Sequence, residues 1–301
     1  MVQTVSTPLI PVAELARLHS LEVVARLVVE GFLTGAHRSP TLGVSVDFAD
    51  HRAYVSGDDL RHLDWKVLGR SDRLVIKRYE QETDLTCLCV VDGSGSMAYQ
   101  GARAAVPKYR YAAMLAACLS YLVLAQQDRI GLTLFAERIV GEQRPGRAGQ
   151  LARICRMLEQ HQPDAATDQP KAIAHLTAPE AHRGLVVLIS DLLDPPDDTA
   201  AVLDRLGHRG HDVAVVWTLD PDEVDLGVPT VSRFEHLEGT EQLVAEPRAL
   251  RTAYRQVVDD HRRALSAHCR RRRMAFAPCT TDEPLNVALN RLLLALHAER
   301  R

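Results

Sequence analysis

The segment from Leu85 to Val91 constrains this chain more than any other, because it is a near-continuous apolar run that stops abruptly at Asp92. A run this short, followed at once by a glycine-rich turn, reads as a strand buried on both faces, and such strands belong to parallel sheets covered by helices. Leu185 to Ser190 repeats the pattern and stops at Asp191. Around these two, helical spacing predicts helices over Tyr109 to Gln126, Gln150 to His161 and Asp197 to Leu206, and strands over Ile130 to Phe135 and Asp212 to Thr218. Buried strands alternating with helices predict an α/β fold, a doubly wound and mostly parallel sheet flanked by helices. In such a sheet ligands gather at the carboxyl ends of the strands. Two of those ends carry an aspartate.

Upstream, Val12, Leu15, Leu18, Leu21, Val24, Leu27 and Val28 follow Pro11 at helical spacing, and Gly43 to Tyr54 and Leu74 to Tyr79 read as strands. The expected organisation is an N-terminal helix-plus-strand extension over residues 1–80 and a sheet domain over 81–301. Within that domain, regularity weakens around 220–246. A long helix from Pro247 to about Arg272, a strand from Met274 to Pro278 and a final helix to Ala298 then follow.

Bulk charge excludes some partners. With 36 basic and 39 acidic residues the formal charge is -3, which gives no overall attraction to nucleic acid or anionic lipid. The run Arg270 to Arg273 has a structural reading, since positive side chains near a helix C-terminus complement its dipole. The 6 cysteines include no Cys-x-x-Cys pair, which argues against a zinc knuckle or a disulfide framework and suits reduced thiols. The first residues lack the pattern of a signal peptide, and Tyr111 to Ala125 is too short for a membrane span, so the chain is expected to be cytoplasmic without direct membrane insertion.

The chemistry begins in VVDGSGSM, where the buried run ends. A hard divalent cation takes about six oxygen ligands at about 2.1 Å, and a mixture of carboxylate and hydroxyl suits it. Asp92, Ser94 and Ser96 offer that mixture at alternate positions, with Gly93 and Gly95 between them to let the backbone turn tightly. The same residues could equally make an Asx-turn and a helix cap. Asp92-x-Ser94-x-Ser96 followed by Met97 resembles the metal-ion-dependent adhesion site of von Willebrand factor type A domains. The resemblance implies a Rossmann-type three-layer sandwich in which a later threonine and an aspartate after the fourth core strand complete the site. Thr167 in DAATDQPKA and Asp191 in VVLISDLLD stand in matching order. Asp194 could occupy the same loop as Asp191, but Asp191 directly follows the apolar strand.

A second motif precedes the first. The segment YVSGDDLRHLDWKVLGRSDRLVIKRYEQE is similar to the signature of the bacterial family called domain of unknown function 58 (DUF58), in which it precedes a type A domain. Tyr54, Gly57, Asp58, Asp59, Arg61, Asp64, Trp65, Arg70, Lys77 and Glu80 carry that likeness. By itself GDDLRHLDW also reads as a capped short helix whose Trp65 packs on the sheet, and it stays outside the metal site.

Together the resemblances imply one Mg²⁺ or Mn²⁺ ion held by Asp92, Ser94, Ser96, Thr167 and Asp191, with a protein partner supplying a further carboxylate. Family association adds a MoxR-type AAA+ ATPase as partner, with the chain as adaptor to a client protein. No nucleophile elbow and no phosphate loop occurs, so an enzyme is not expected. A metal-dependent hydrolase and a scaffold with a vestigial metal site are the alternatives.

Overall fold

The structure, a computed structural model, describes residues 9–36, 51–53, 75–77, 85–136, 138–163, 184–193, 196–207, 210–227, 232–235, 242–245 and 247–299. The described helices are α1 (Val12–Leu15), α2 (Leu21–Ala36), α3 (Lys108–Ala125), α4 (Gln150–Gln160), α5 (Pro196–Gly207), α6 (Pro221–Asp225), α7 (Pro247–Arg271) and α8 (Leu285–Glu299). The strands are β1 (His51–Ala53), β2 (Val75–Lys77), β3 (Thr86–Asp92), β4 (Arg129–Phe135), β5 (Ile139–Gly146), β6 (Leu185–Ser190), β7 (Asp212–Leu219), β8 (Ser232–Glu235), β9 (Gln242–Ala245) and β10 (Ala275–Thr280).

Six strands form the main sheet in the order β10-β7-β6-β3-β4-β5, and every neighbouring pair is parallel except β4 with the edge strand β5. The chain starts at the centre with β3, moves outward through β4 to β5, then crosses back to lay β6 on the other side of β3. That reversal puts the topological switch point between β3 and β6, where the open sheet parts into a crevice at its carboxyl edge. The expected doubly wound sheet is therefore present, and both of its predicted aspartate-bearing ends flank the switch point. β5 is an addition that periodicity did not predict: its burial alternates along an exposed edge, and Pro145 and charged side chains make that edge a poor template for another strand.

Helices cover both faces. Val90, Leu188, Val215 and Trp217 pack against Val202, Leu203 and Leu206 of α5 and Leu265 and Cys269 of α7. Cys87 and Cys89, on the opposite face of β3, are wholly buried, in keeping with their reading as small core residues. α3 is apolar nearly all round, as a helix enclosed by its neighbours must be. Its buried polar groups are each satisfied: Tyr109 donates to the Leu158 carbonyl at 2.8 Å, Tyr111 to the Glu283 carbonyl at 2.9 Å and Ser120 to the Ala116 carbonyl at 2.7 Å.

The spacing that predicts one N-terminal helix is realised as two. Ser20 caps the second, its hydroxyl accepting from the Val23 amide at 3.4 Å while Glu159 accepts from the Leu21 amide at 2.6 Å. Arg110 donates to the Leu18 carbonyl at 2.9 Å, so the break is built into the contact with α3. The chain divides into two compact units, residues 1–32 with 85–301 and, separately, 33–84. The N-terminal helices as far as Phe32 thus fall in the same unit as the sheet, with hydrogen bonds to α3 and α4. In the second unit β1 pairs antiparallel with β2, and the GDDLRHLDW segment lies outside the described residues. The irregular stretch near 220–246 contains α6 and the antiparallel pair β8 and β9. Among the described residues no helix is long and apolar enough to cross a membrane, and all six cysteines are buried free thiols.

One close approach fixes the β3–β6 register. Gly184 precedes β6 beside the start of β3, and a Cβ there would overlap the Thr86 carbonyl oxygen. Gly184→Ala should lower the unfolding free energy by about 1–3 kcal/mol through the forced backbone shift. A urea midpoint equal to that of the wild type would show that the strands separate there without strain.

Candidate metal centre at the switch point

Asp92 ends β3 fully buried, and its carboxylate organises the loop that follows. Its Oδ1 accepts from the Ser94 amide at 3.0 Å, and its Oδ2 accepts from the Ser190 hydroxyl at 2.6 Å. Ser190, the last residue of β6, thereby ties the ends of β3 and β6 together across the switch point. Ser94 is buried and Ser96 half-buried at the start of a single 3₁₀ turn, and their hydroxyl oxygens lie 3.1 Å apart. Neither Gly93 nor Gly95 takes a left-handed φ. Gly93 is needed for space: a Cβ would overlap the His161 imidazole, whose Nε2 is 2.8 Å from the Gly93 carbonyl oxygen.

Asp191 follows β6 directly and is almost fully buried. Its backbone carbonyl accepts from the indole of Trp217 at 2.6 Å. The next residue, Leu192, holds a left-handed φ of 46°, a conformation that costs a leucine about 1–3 kcal/mol. Several contacts enforce it: the Leu192 amide donates to Ser190 Oγ at 3.0 Å, His261 Nε2 sits 2.8 Å from its carbonyl oxygen, and its side chain is wholly buried.

Lys108, at the N-terminus of α3, completes the ring of charges. Its fully buried ammonium donates to Asp191 Oδ2 at 2.8 Å and to Glu223 Oε1 at 2.6 Å. Burial alone would lower the Lys108 pKa, but Asp191 and Glu223 more than offset it, so the ammonium is held firmly charged. Glu223 belongs to α6, where its other oxygen accepts from the Asp220 amide at 2.9 Å in a capping box. Burial pushes the Glu223 carboxyl up, opposed by Lys108. Burial and then the charge of Asp191 push Asp92 up to about 7, against the hydrogen bonds from Ser190 and Ser94.

Four of the five residues expected at a metal site are therefore within the described residues, on the loops after β3 and β6. Thr167 lies outside them, as does Asp194. Ser190, Lys108, Glu223 and Trp217 had not been singled out by sequence reasoning. Lys108 was legible in principle, since a polar residue opening an otherwise enclosed helix must be buried and paired. Among the described residues no group of three or more His, Cys, Asp or Glu could hold a metal, so an ion here would depend on hydroxyl ligands. The donor set meets that demand. Cis ligands of an octahedral ion at about 2.1 Å are about 3.0 Å apart, close to the 3.1 Å between the Ser94 and Ser96 oxygens.

A family profile described as protein of unknown function DUF58 matches residues 50–264. The uncharacterized protein Rv1480 of Mycobacterium tuberculosis is 30% identical over 258 residues, covering 84% of this chain and 78% of that protein. Among solved structures, an aerotolerance-related membrane protein from Bacteroides fragilis aligns with a TM-score of 0.48 at 15% identity, over 71% of this chain and 99% of that one. A von Willebrand factor type A protein from Catenulispora acidiphila aligns with a TM-score of 0.38 at 12% identity, over 72% of this chain and 43% of that one.

Proposed function

Because the chain belongs to the DUF58 family and carries an Asp-x-Ser-x-Ser loop at the switch point of its sheet, we propose that it is a protein-interaction module with a metal-dependent docking site. One Mg²⁺ or Mn²⁺ ion would be held by Asp92, Ser94 and Ser96, with Asp191 and Thr167 completing the set. The observation that carries this reading is the pair of hydroxyl oxygens 3.1 Å apart, next to buried carboxylates that Lys108 only partly neutralises. When bound, the ion supplies the positive charge that a carboxylate of a protein partner would complete. Asp92 orients the loop through the Ser94 amide, and Ser190 keeps the two strand ends together. A MoxR-type AAA+ ATPase is the partner suggested by family association, with this chain as its adaptor to a client.

A scaffold that takes no ion is the second reading, favoured by Lys108, whose ammonium already meets Asp191. Thermal unfolding of the full chain in chelator and in excess Mn²⁺ separates the two. Docking predicts an upward shift, equivalent to about 2.7 kcal/mol when the ion is at a hundredfold excess over its Kd, and Asp92→Ala should abolish it. A shift that survives Asp92→Ala would remove the proposed coordination, and no shift in the wild type would favour the scaffold. Co-purification of the ATPase that is indifferent to both chelator and Asp92→Ala would remove metal-dependent docking.

A further inference from the structure

Lys108 is out of place by ordinary helix electrostatics. A cation in the first turn opposes the helix dipole, and a lysine with no side-chain exposure also forgoes hydration. Its position is explained by the two carboxylates it joins, Asp191 on the loop after β6 and Glu223 on α6. Tyr99 also lies beside it, the ammonium being 5.9 Å from the ring centroid. With all three carboxyls ionised, Asp92, Asp191 and Glu223 would carry three negative charges against the single positive charge of Lys108. Among these four groups that state leaves two negative charges, the complement of one dication.

We propose that Lys108 is a positioning residue, a tethered counter-cation that holds Asp191 at the switch point and, with Glu223, sets the net charge at which the site accepts one divalent ion. The inference rests on the metal-docking reading and adds two residues to it, neither of them a ligand. Glu223 acts through its charge, through Lys108 and through the capping box of α6, so its substitution changes the electrostatics without removing a ligand.

The experiment is calorimetric titration of Mn²⁺ into the metal-stripped full chain. Glu223→Gln removes one negative charge and keeps one acceptor oxygen, enough for Lys108 at the cost of the bond from the Asp220 amide, and should weaken Mn²⁺ binding on the order of tenfold. Lys108→Met removes the repelling cation and should tighten binding by about the same factor, and the double variant Lys108→Met with Glu223→Gln should return towards the wild-type affinity. Wild-type affinity in all three would mean that Lys108 and Glu223 only hold the fold together, and the proposal would be overturned. If the wild type failed to bind Mn²⁺ while Lys108→Met or the double variant bound it, the counter-cation role would stand and the docking reading would fall. If the wild type and every folded variant failed to bind, both would fall. Should Lys108→Met not fold, Glu223→Gln decides the question alone.

Discussion

Replacing Lys108 by methionine is expected to remove about 3–5 kcal/mol of unfolding free energy in metal-free buffer, the usual loss when one partner of a buried ion pair is deleted. The methionine fills most of the volume, so the loss is electrostatic. Asp191, with 3% of its side chain exposed, and Glu223, with 17%, would be left without the ammonium that neutralises them. Glu223→Gln in the same chain removes one stranded charge and should recover part of the loss. Urea unfolding followed by circular dichroism measures both variants. A loss below about 1 kcal/mol, the range of exposed ion pairs, would mean that water reaches these groups and that the charge balance argued for the site is wrong.

Trp217→Ala should have a similar effect for a different reason. The indole is 3% exposed, stacks near Phe276 at 6.3 Å between ring centroids and lies 5.9 Å from His261. Truncating a buried Trp to Ala costs about 3–5 kcal/mol through lost burial and the cavity left behind. The same indole donates to the Asp191 carbonyl, so the variant also releases the backbone on which the second aspartate is mounted. Trp217→Phe separates the two effects: it retains most of the packing and should lose only about 1–3 kcal/mol for the buried carbonyl left without a donor. Equal losses in the two variants would show that the hydrogen bond dominates and that the packing account is mistaken.

Both predictions concern residues that sequence reasoning passed over, while the strands and helices themselves were largely legible. Leu85 to Val91 and Leu185 to Ser190 announce buried parallel strands because both faces are covered, and their ends locate Asp92 and Asp191 without knowledge of the strand order. β5 was not legible, since an edge strand with one solvated face and a proline lacks a sustained apolar signal. The break between α1 and α2 was hidden because Leu15, Leu18 and Leu21 keep helical spacing across it, although Ser20 caps the second helix and Arg110 binds the Leu18 carbonyl at the break. Ser94 and Ser96 stand out by spacing. Ser190 and Glu223 do not, because each becomes part of the site through pairing with residues 98 and 115 positions away. Gly93 was assigned the right importance for the wrong reason: the demand comes from the side chain of His161, not from the backbone angle.

The strand order has a consequence for how the molecule is made. In a chain growing from its N-terminus, the Asp-x-Ser-x-Ser loop and Lys108 emerge well before β6, and β6 well before α6. Pairing of β3 with β6 must close a long loop, and the entropy of that closure rises slowly with length, so it delays the site more than it weakens it. Glu223 is the last member of the charge ring to be synthesised, so Lys108 can meet both of its carboxylates only after α6 has emerged. A nascent chain halted between residues 191 and 223 would hold both aspartates and Lys108 but lack the second carboxylate that the ammonium meets in the finished fold.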